Sequence, residues 1–259
     1  MSALLIAGAF SEAGLNLIVT DPGELPWITV TLQWLSRLGI SVEQQGFTNY
    51  QVVGGARISG FEYTVPGDFS SAAFPIAAAL VTQSEVVLSN LDMSDSQGDK
   101  KLIAVLQQMG AEIDIDDKTK TLRVRGGNRL VGAKVDINDF IDAIPVLSVL
   151  GCYAEGETCI YNGAVARQKE CDRITCIASE LRKMGADIDE TEDGLLIRQS
   201  QLRGAEVNSH HDHRLAMSLT VAALGALGDS KICATDCVSK TFPNFVNQLN
   251  GLGTHIEVF

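Results

Sequence analysis

Leu102-Ile103-Ala104-Val105-Leu106-Gln107-Gln108-Met109-Gly110-Ala111-Glu112-Ile113-Asp114-Ile115 is the stretch whose reading decides the fold. Leu102, Ile103, Leu106 and Met109 line one stripe of a helix. Gly110 suits the left-handed residue that ends one, and residues 111–115 read as a strand leaving it. The same stop signal recurs at Leu38-Gly39, Met184-Gly185 and Leu252-Gly253, at spacings of 71, 75 and 68 residues. That period is too regular for chance and longer than the common solenoid repeats. Strands are expected after each stop, at 40–42, 186–188 and 255–258.

Four copies of one pattern follow. Nearly all-apolar helices at 70–80, 142–154 and 213–227 must be buried on all sides. Each leads to a strand, at 85–91, 157–161 and 230–234. An amphipathic helix follows, with Ile174, Ile177, Leu181 and Met184 repeating the stripe. Final strands at 50–53, 122–124 and 195–198 close the first three copies. Gly54-Gly55, Gly60 and Val65-Pro66-Gly67 mark a boundary, giving one copy at 1–62 and a three-copy domain at 63–259. The chain reaches Phe259 before the fourth copy closes, which leaves a sheet edge open to another segment. It also starts in mid-helix, so both ends read as cut from something larger.

The net charge of −12 argues against nucleic acid or an anionic membrane as partner. A small anionic substrate stays possible, because clustered Arg and Lys outweigh a distant acidic surface. Six cysteines without a CxxC pair read as free thiols of a reducing, cytoplasmic compartment. Residues 1–10 are apolar but lack a basic leader, the first Lys or Arg being Arg37, and form a core helix rather than a signal peptide. No apolar run is long enough to span a bilayer.

Polar residues interrupt the pattern at helix starts. Asp68, Asp142 and Asp212-His213-Arg214 open the buried helices; Lys169-Glu170-Cys171-Asp172-Arg173 and Ser239-Lys240-Thr241 open amphipathic ones. Cations there oppose the helix dipole, so Lys169, Arg173, Arg214 and Lys240 predict a bound anion. Lys169 and Arg173, at i and i+4, share a helix face, with Glu170 oriented by Arg173 for proton transfer. Equally, Glu170 and Asp172 can be ordinary N-terminal charges with Arg173 as their surface partner, and Asp142 a simple cap. His210-His211-Asp212-His213 suggests a metal site, but consecutive ligands point in different directions and HExxH is absent. His213 therefore reads as a hydrogen-bond donor or proton carrier beside Arg214, with no metal and no cofactor.

Five stretches in register resemble the 5-enolpyruvylshikimate-3-phosphate synthase family: Pro66-Gly67-Asp68-Phe69-Ser70-Ser71-Ala72-Ala73-Phe74, Asp142-Ala143-Ile144-Pro145, Lys169-Glu170-Cys171-Asp172-Arg173, His211-Asp212-His213-Arg214 and Ser239-Lys240-Thr241-Phe242-Pro243. The resemblance implies an α+β enolpyruvyl transferase fold: inside-out barrel-like lobes of βαβαββ units about a pseudo-threefold axis. This chain would be its C-terminal majority, and a missing N-terminal segment would close the second lobe. The implied site lies between lobes. The implied reaction moves the enolpyruvyl group of phosphoenolpyruvate to the 5-hydroxyl of shikimate 3-phosphate, in chorismate and aromatic amino acid biosynthesis. Asp142 then corresponds to the carboxylate at the 5-hydroxyl, Glu170 to the acid–base at the methylene, and His213 to a supporting group. Arg173, Arg214 and Lys240 would clamp phosphoenolpyruvate, and Lys169 would serve shikimate 3-phosphate.

Departures from the family include Glu24, where a Ser or Thr often binds phosphate, and Val165, where some members are polar. The first lobe's Lys, Arg and Ser-Ser-Gln segment are absent, so little turnover is expected of the chain alone. The alternatives are an enolpyruvyl transferase acting on a UDP-sugar, or a non-catalytic anion-binding fragment.

Overall fold

A computed structural model describes every residue, Met1–Phe259. The chain divides into two compact units, Met1–Pro66 with Met93–Gly98, and Gly67–Asp92 with Asp99–Phe259. In the first, α1 (Ser2–Phe10), β1 (Leu15–Ile18), α2 (Leu25–Arg37), β2 (Val42–Gln45) and β3 (Asn49–Val52) form one repeat. Its antiparallel sheet, ordered β1-β3-β2, encloses Leu5, Ile28, Leu35, Tyr50 and Val52 with the two helices.

The second unit holds three further repeats. They run α3 (Phe69–Val81), β4 (Glu85–Leu88), α4 (Lys101–Gln108), β5 (Glu112–Asp116), β6 (Thr121–Arg125); then β7 (Lys134–Asp136), α5 (Ile144–Tyr153), β8 (Glu157–Tyr161), α6 (Arg173–Lys183), β9 (Asp187–Glu190), β10 (Leu195–Arg198); then β11 (Glu206–Asn208), α7 (His213–Gly225), β12 (Lys231–Cys233), α8 (Phe245–Gly251). Short 3-10 turns occupy Gly98–Lys100, Ile141–Ala143, Ala164–Gln168 and Thr235–Lys240. The sheets are ordered β4-β6-β5, β7-β8-β10-β9 and β11-β12.

The all-apolar helices α3, α5 and α7 pack against one another at the centre of this unit. Every residue of α5 from Ile144 to Cys152 is buried, as its lack of a polar face requires. The Tyr153 hydroxyl donates to the Ala222 carbonyl at 2.9 Å and ties α5 to α7. A Cβ at Gly225 would lie 2.6 Å from that hydroxyl, so this approach admits only glycine. The amphipathic helices turn their expected stripes inward: Leu102, Ile103, Leu106 and Met109 are buried, as are Ile174, Ile177, Leu181 and Met184.

Two expectations need correction. Residues 255–258 form no strand: Asn250 accepts from the Ile256 N–H and donates to the Ile256 carbonyl, which folds the tail back onto the end of α8. In the second and third repeats the corresponding strands β5 and β9 pair with a final strand, β6 or β10, and the two-stranded β11-β12 sheet includes no such strand. The third and fourth repeats open with a strand, as the βαβαββ unit implied by the resemblance does and the helix-first reading of the pattern does not, β7 and β11 each pairing in parallel with the next strand. Three residues are too few to display a period of two.

The four stop glycines all have positive φ, from +75° at Gly39 to +105° at Gly253. At Gly185, with φ +93°, an added Cβ meets nothing nearer than the Gln201 carbonyl at 3.8 Å. Gly185→Ala is therefore expected to cost about 1–2 kcal/mol through backbone conformation alone, measured as a lower urea midpoint at unchanged slope.

Candidate active site

Asp68, Asp142 and Asp212 stand at equivalent places, just before α3, α5 and α7. Asp68 caps α3 through the N–H groups of Ser70 and Ser71, and Asp212 caps α7 through those of Arg214 and Leu215. Asp142 makes no cap. Its third following residue is Pro145, which has no N–H to donate. Ile144 keeps its N–H, but Asp142 lies inside the 3-10 turn Ile141–Ala143 and makes no cap through it, so both oxygens meet other partners.

Those partners are guanidinium groups. Arg173, the first residue of α6 and 1% exposed, donates from Nε to Asp212 Oδ2 at 2.7 Å, from Nη1 to Asp142 Oδ1 at 2.6 Å, and from Nη2 to Glu170 Oε2 at 2.6 Å. Arg214 Nη2 reaches Asp142 Oδ2 at 2.9 Å and Ser70 Oγ at 3.2 Å. His213 Nδ1 lies 3.8 Å from Glu170 Oε1. Arg173 is thus no surface partner of Asp172, which instead caps α6 and pairs with Arg167 at 2.8 Å.

Asp212 is presented by a strained approach: His210 and His211 both have positive φ, at +53° and +60°. The turn is held by Ser209 Oγ accepting from the His211 N–H, and by His210 Nε2 at 2.9 Å from Glu180. Asp212 itself is taken by Arg173 and by the cap of α7. No group of three His, Cys, Asp or Glu is arranged to hold a metal ion.

Two basic residues lie elsewhere than expected. Lys169 has extended backbone at the end of the 164–168 turn, four residues before α6 begins. It does not share a helix face with Arg173, because the Asp172 cap sets the helix start. Its charge still reaches Asp142. Lys240 ends the 3-10 turn Thr235–Lys240 and precedes α8, whose N-cap is Asn244. It is exposed and joins none of the ion pairs around Arg173.

Burial alone raises the Asp142 carboxyl, but Arg214 and Arg173 hold it below the ordinary carboxylate value. For His213, burial and then the Arg214 charge lower the pKa, favouring neutral imidazole. One residue escaped the sequence reading. Asp99, in the 98–100 turn, is 5% exposed, and its buried Oδ1 has no hydrogen-bond partner. Burial and then the Asp142 charge push its carboxyl up to about 7, with Arg214 opposing. In sequence it looks like any acid opening a helix. A buried acid raised to about 7, an ionised acid and two fixed cations within one cluster make a site suited to binding an anion and moving protons.

Comparison with known proteins gives a consistent picture. Residues 1–249 match the family model of EPSP synthase (3-phosphoshikimate 1-carboxyvinyltransferase). A 3-phosphoshikimate 1-carboxyvinyltransferase of Chlamydia caviae is 45% identical over 100% of this chain and 58% of its own length. One from Acetivibrio thermocellus is 42% identical over 99% of this chain and 60% of its own length. The chain thus spans about three-fifths of the curated relatives it matches. Among solved structures, an EPSP synthase of Acinetobacter baumannii superposes with TM-score 0.85 at 32% identity, covering 98% of this chain and 60% of that one. The enolpyruvyl transferase NikO of Streptomyces tendae, at 20% identity, shares the fold with TM-score 0.76 over 98% of this chain and 58% of that one.

Arg173→Ala strands the fully buried Asp212 and is expected to destabilise the chain by about 3–5 kcal/mol, read by urea unfolding. Asp99 supplies a pH test. Its folded value, raised from 3.8 to about 7, means the folded chain keeps a proton that the unfolded chain releases. Stability from this group falls as pH rises from 4 through 7. Asp99→Asn removes that decline and is expected to gain up to about 4 kcal/mol over wild type by pH 8; parallel stability–pH curves for the two proteins would refute it.

Proposed function

Because the chain belongs to the EPSP synthase (3-phosphoshikimate 1-carboxyvinyltransferase) family, we propose that it supplies one catalytic face of an enzyme moving the enolpyruvyl group of phosphoenolpyruvate to the 5-hydroxyl of shikimate 3-phosphate. The observation that carries this reading is the buried Arg173 gripping Asp142 and Glu170 together. Two carboxylates held by one rigid fork keep a fixed separation, which suits a reaction needing two proton transfers on one substrate pair.

In this reading Asp142, kept ionised by Arg173 and Arg214, accepts the proton of the attacking 5-hydroxyl. Glu170, more accessible than Asp142, delivers a proton to the methylene carbon of phosphoenolpyruvate and removes one as phosphate leaves. Neutral His213, its Nδ1 3.8 Å from Glu170 Oε1 and so not hydrogen-bonded to it, serves as a supporting group beside that carboxylate. Arg214, Lys169 and Lys240 supply positive charge for the two phosphoryl groups, and fixed charge of that kind stabilises phosphate as it departs. Arg173 serves chiefly as organiser, since three carboxylates already occupy it. The partner that completes the reaction is an N-terminal segment like the portion of the relatives that this chain does not cover.

The test is phosphate release from phosphoenolpyruvate and shikimate 3-phosphate. We expect negligible turnover from the 259-residue chain, and turnover once the uncovered N-terminal portion of a relative is added in trans. In that complex Asp142→Asn and Glu170→Gln should each lower kcat by about 10²–10⁴. A folded complex that binds both substrates without conversion would replace the enzyme by a binding module.

A further inference from the structure

Asp99 stands in the 3-10 turn Gly98–Lys100 that leads into α4, and its Oδ1 is shut away from water with no donor. The charges that act on it through space come from three elements: Asp142 in the turn before α5, Arg214 on α7, and Asp68 at the head of α3. On its own segment the neighbours are Lys100 and Lys101, the latter paired with Asp139. Arg214 gives its Nη2 to Asp142 and Ser70, and no donor reaches Asp99 Oδ1. An ionised Asp99 is therefore a buried charge near two other carboxylates, offset through space by Arg214 and locally by a hydrogen bond from its own backbone N–H. Burial, Asp142 and Asp68 favour its neutral form, and Arg214 is the one neighbouring side chain charge that opposes them.

An anion settling on Arg214 cancels that opposition. We propose that Asp99 is a positioning residue that takes up a proton from solvent when a phosphorylated ligand docks against Arg214, so that anion binding and Asp99 protonation are coupled. The inference rests on reading this cluster as an anion site and adds to it a linked proton that none of the substrate-contacting groups holds. The uptake prevents a third negative charge from opposing the ligand. It also leaves Arg214 turned toward Asp142 and the anion, not drawn toward Asp99. Linkage then runs both ways: the ligand raises the proton affinity of Asp99, and the protonated chain binds the ligand more tightly.

Inorganic sulfate is the probe, a tetrahedral dianion that does not itself titrate between pH 5.5 and 8.5. Calorimetry in buffers of different ionisation enthalpy reads the proton directly. Wild type at pH 7 should take up close to half a proton per sulfate, since Asp99 is about half protonated beforehand. Sulfate affinity should fall about three- to tenfold between pH 6.5 and 8.5. Asp99→Asn, a mimic of the protonated acid, should lose the Asp99 share of the pH dependence and take up about half a proton less per sulfate than wild type at pH 7, any remaining uptake belonging to His213, whose pKa the Arg214 charge also lowers. Sulfate binding by wild type with no proton uptake overturns the coupling without touching the anion site, and needs no variant to fold. An unchanged pH profile in a folded Asp99→Asn chain does the same. Failure of both proteins to bind sulfate at any pH sinks the anion-site reading, and this inference with it.

Discussion

The guanidinium of Arg173 is the constraint from which the rest of the second unit follows. A buried cation is costly unless its charge and donors are matched, and here Asp212, Asp142 and Glu170 match it from three segments. Those segments precede α7, α5 and α6. None can shift without leaving a buried charge uncompensated, so one side chain fixes how three helix beginnings meet. The apolar helices α3, α5 and α7 supply the pressure that drives the cluster together. The ionic contacts supply its register.

Much of this architecture was legible in the chain because it is written in composition. Helices apolar on every side can only be interior, which located α3, α5 and α7. The stop glycines marked where amphipathic helices end, and each has the positive φ that this role demands. The same reasoning failed where geometry depends on a partner. Strands β7 and β11 are three residues long and exist only through their parallel neighbours. Residues 255–258 carry a strand-like alternation but find Asn250 before they find a ladder.

Site residues divide in the same way. Arg173, His213 and Arg214 assemble because each opens a helix that repeats with the fold, and Asp142 and Glu170 lie two and three residues ahead of theirs. Lys169 and Lys240 were displaced by one local fact apiece, the Asp172 cap and the 3-10 turn before α8. Asp99 was invisible for a different reason. Its chemistry comes from Asp68, Asp142 and Arg214, which lie far from it in sequence, and no local pattern encodes an environment of that kind.

Pro145 has a consequence for how such a centre is kept open. Asp68 and Asp212 each close the first turn of the helix behind them, whereas an imino ring three residues after Asp142 takes away one of the two amide hydrogens that such a closure uses. A folding signal withheld at one of three like positions leaves a carboxylate uncommitted to the scaffold.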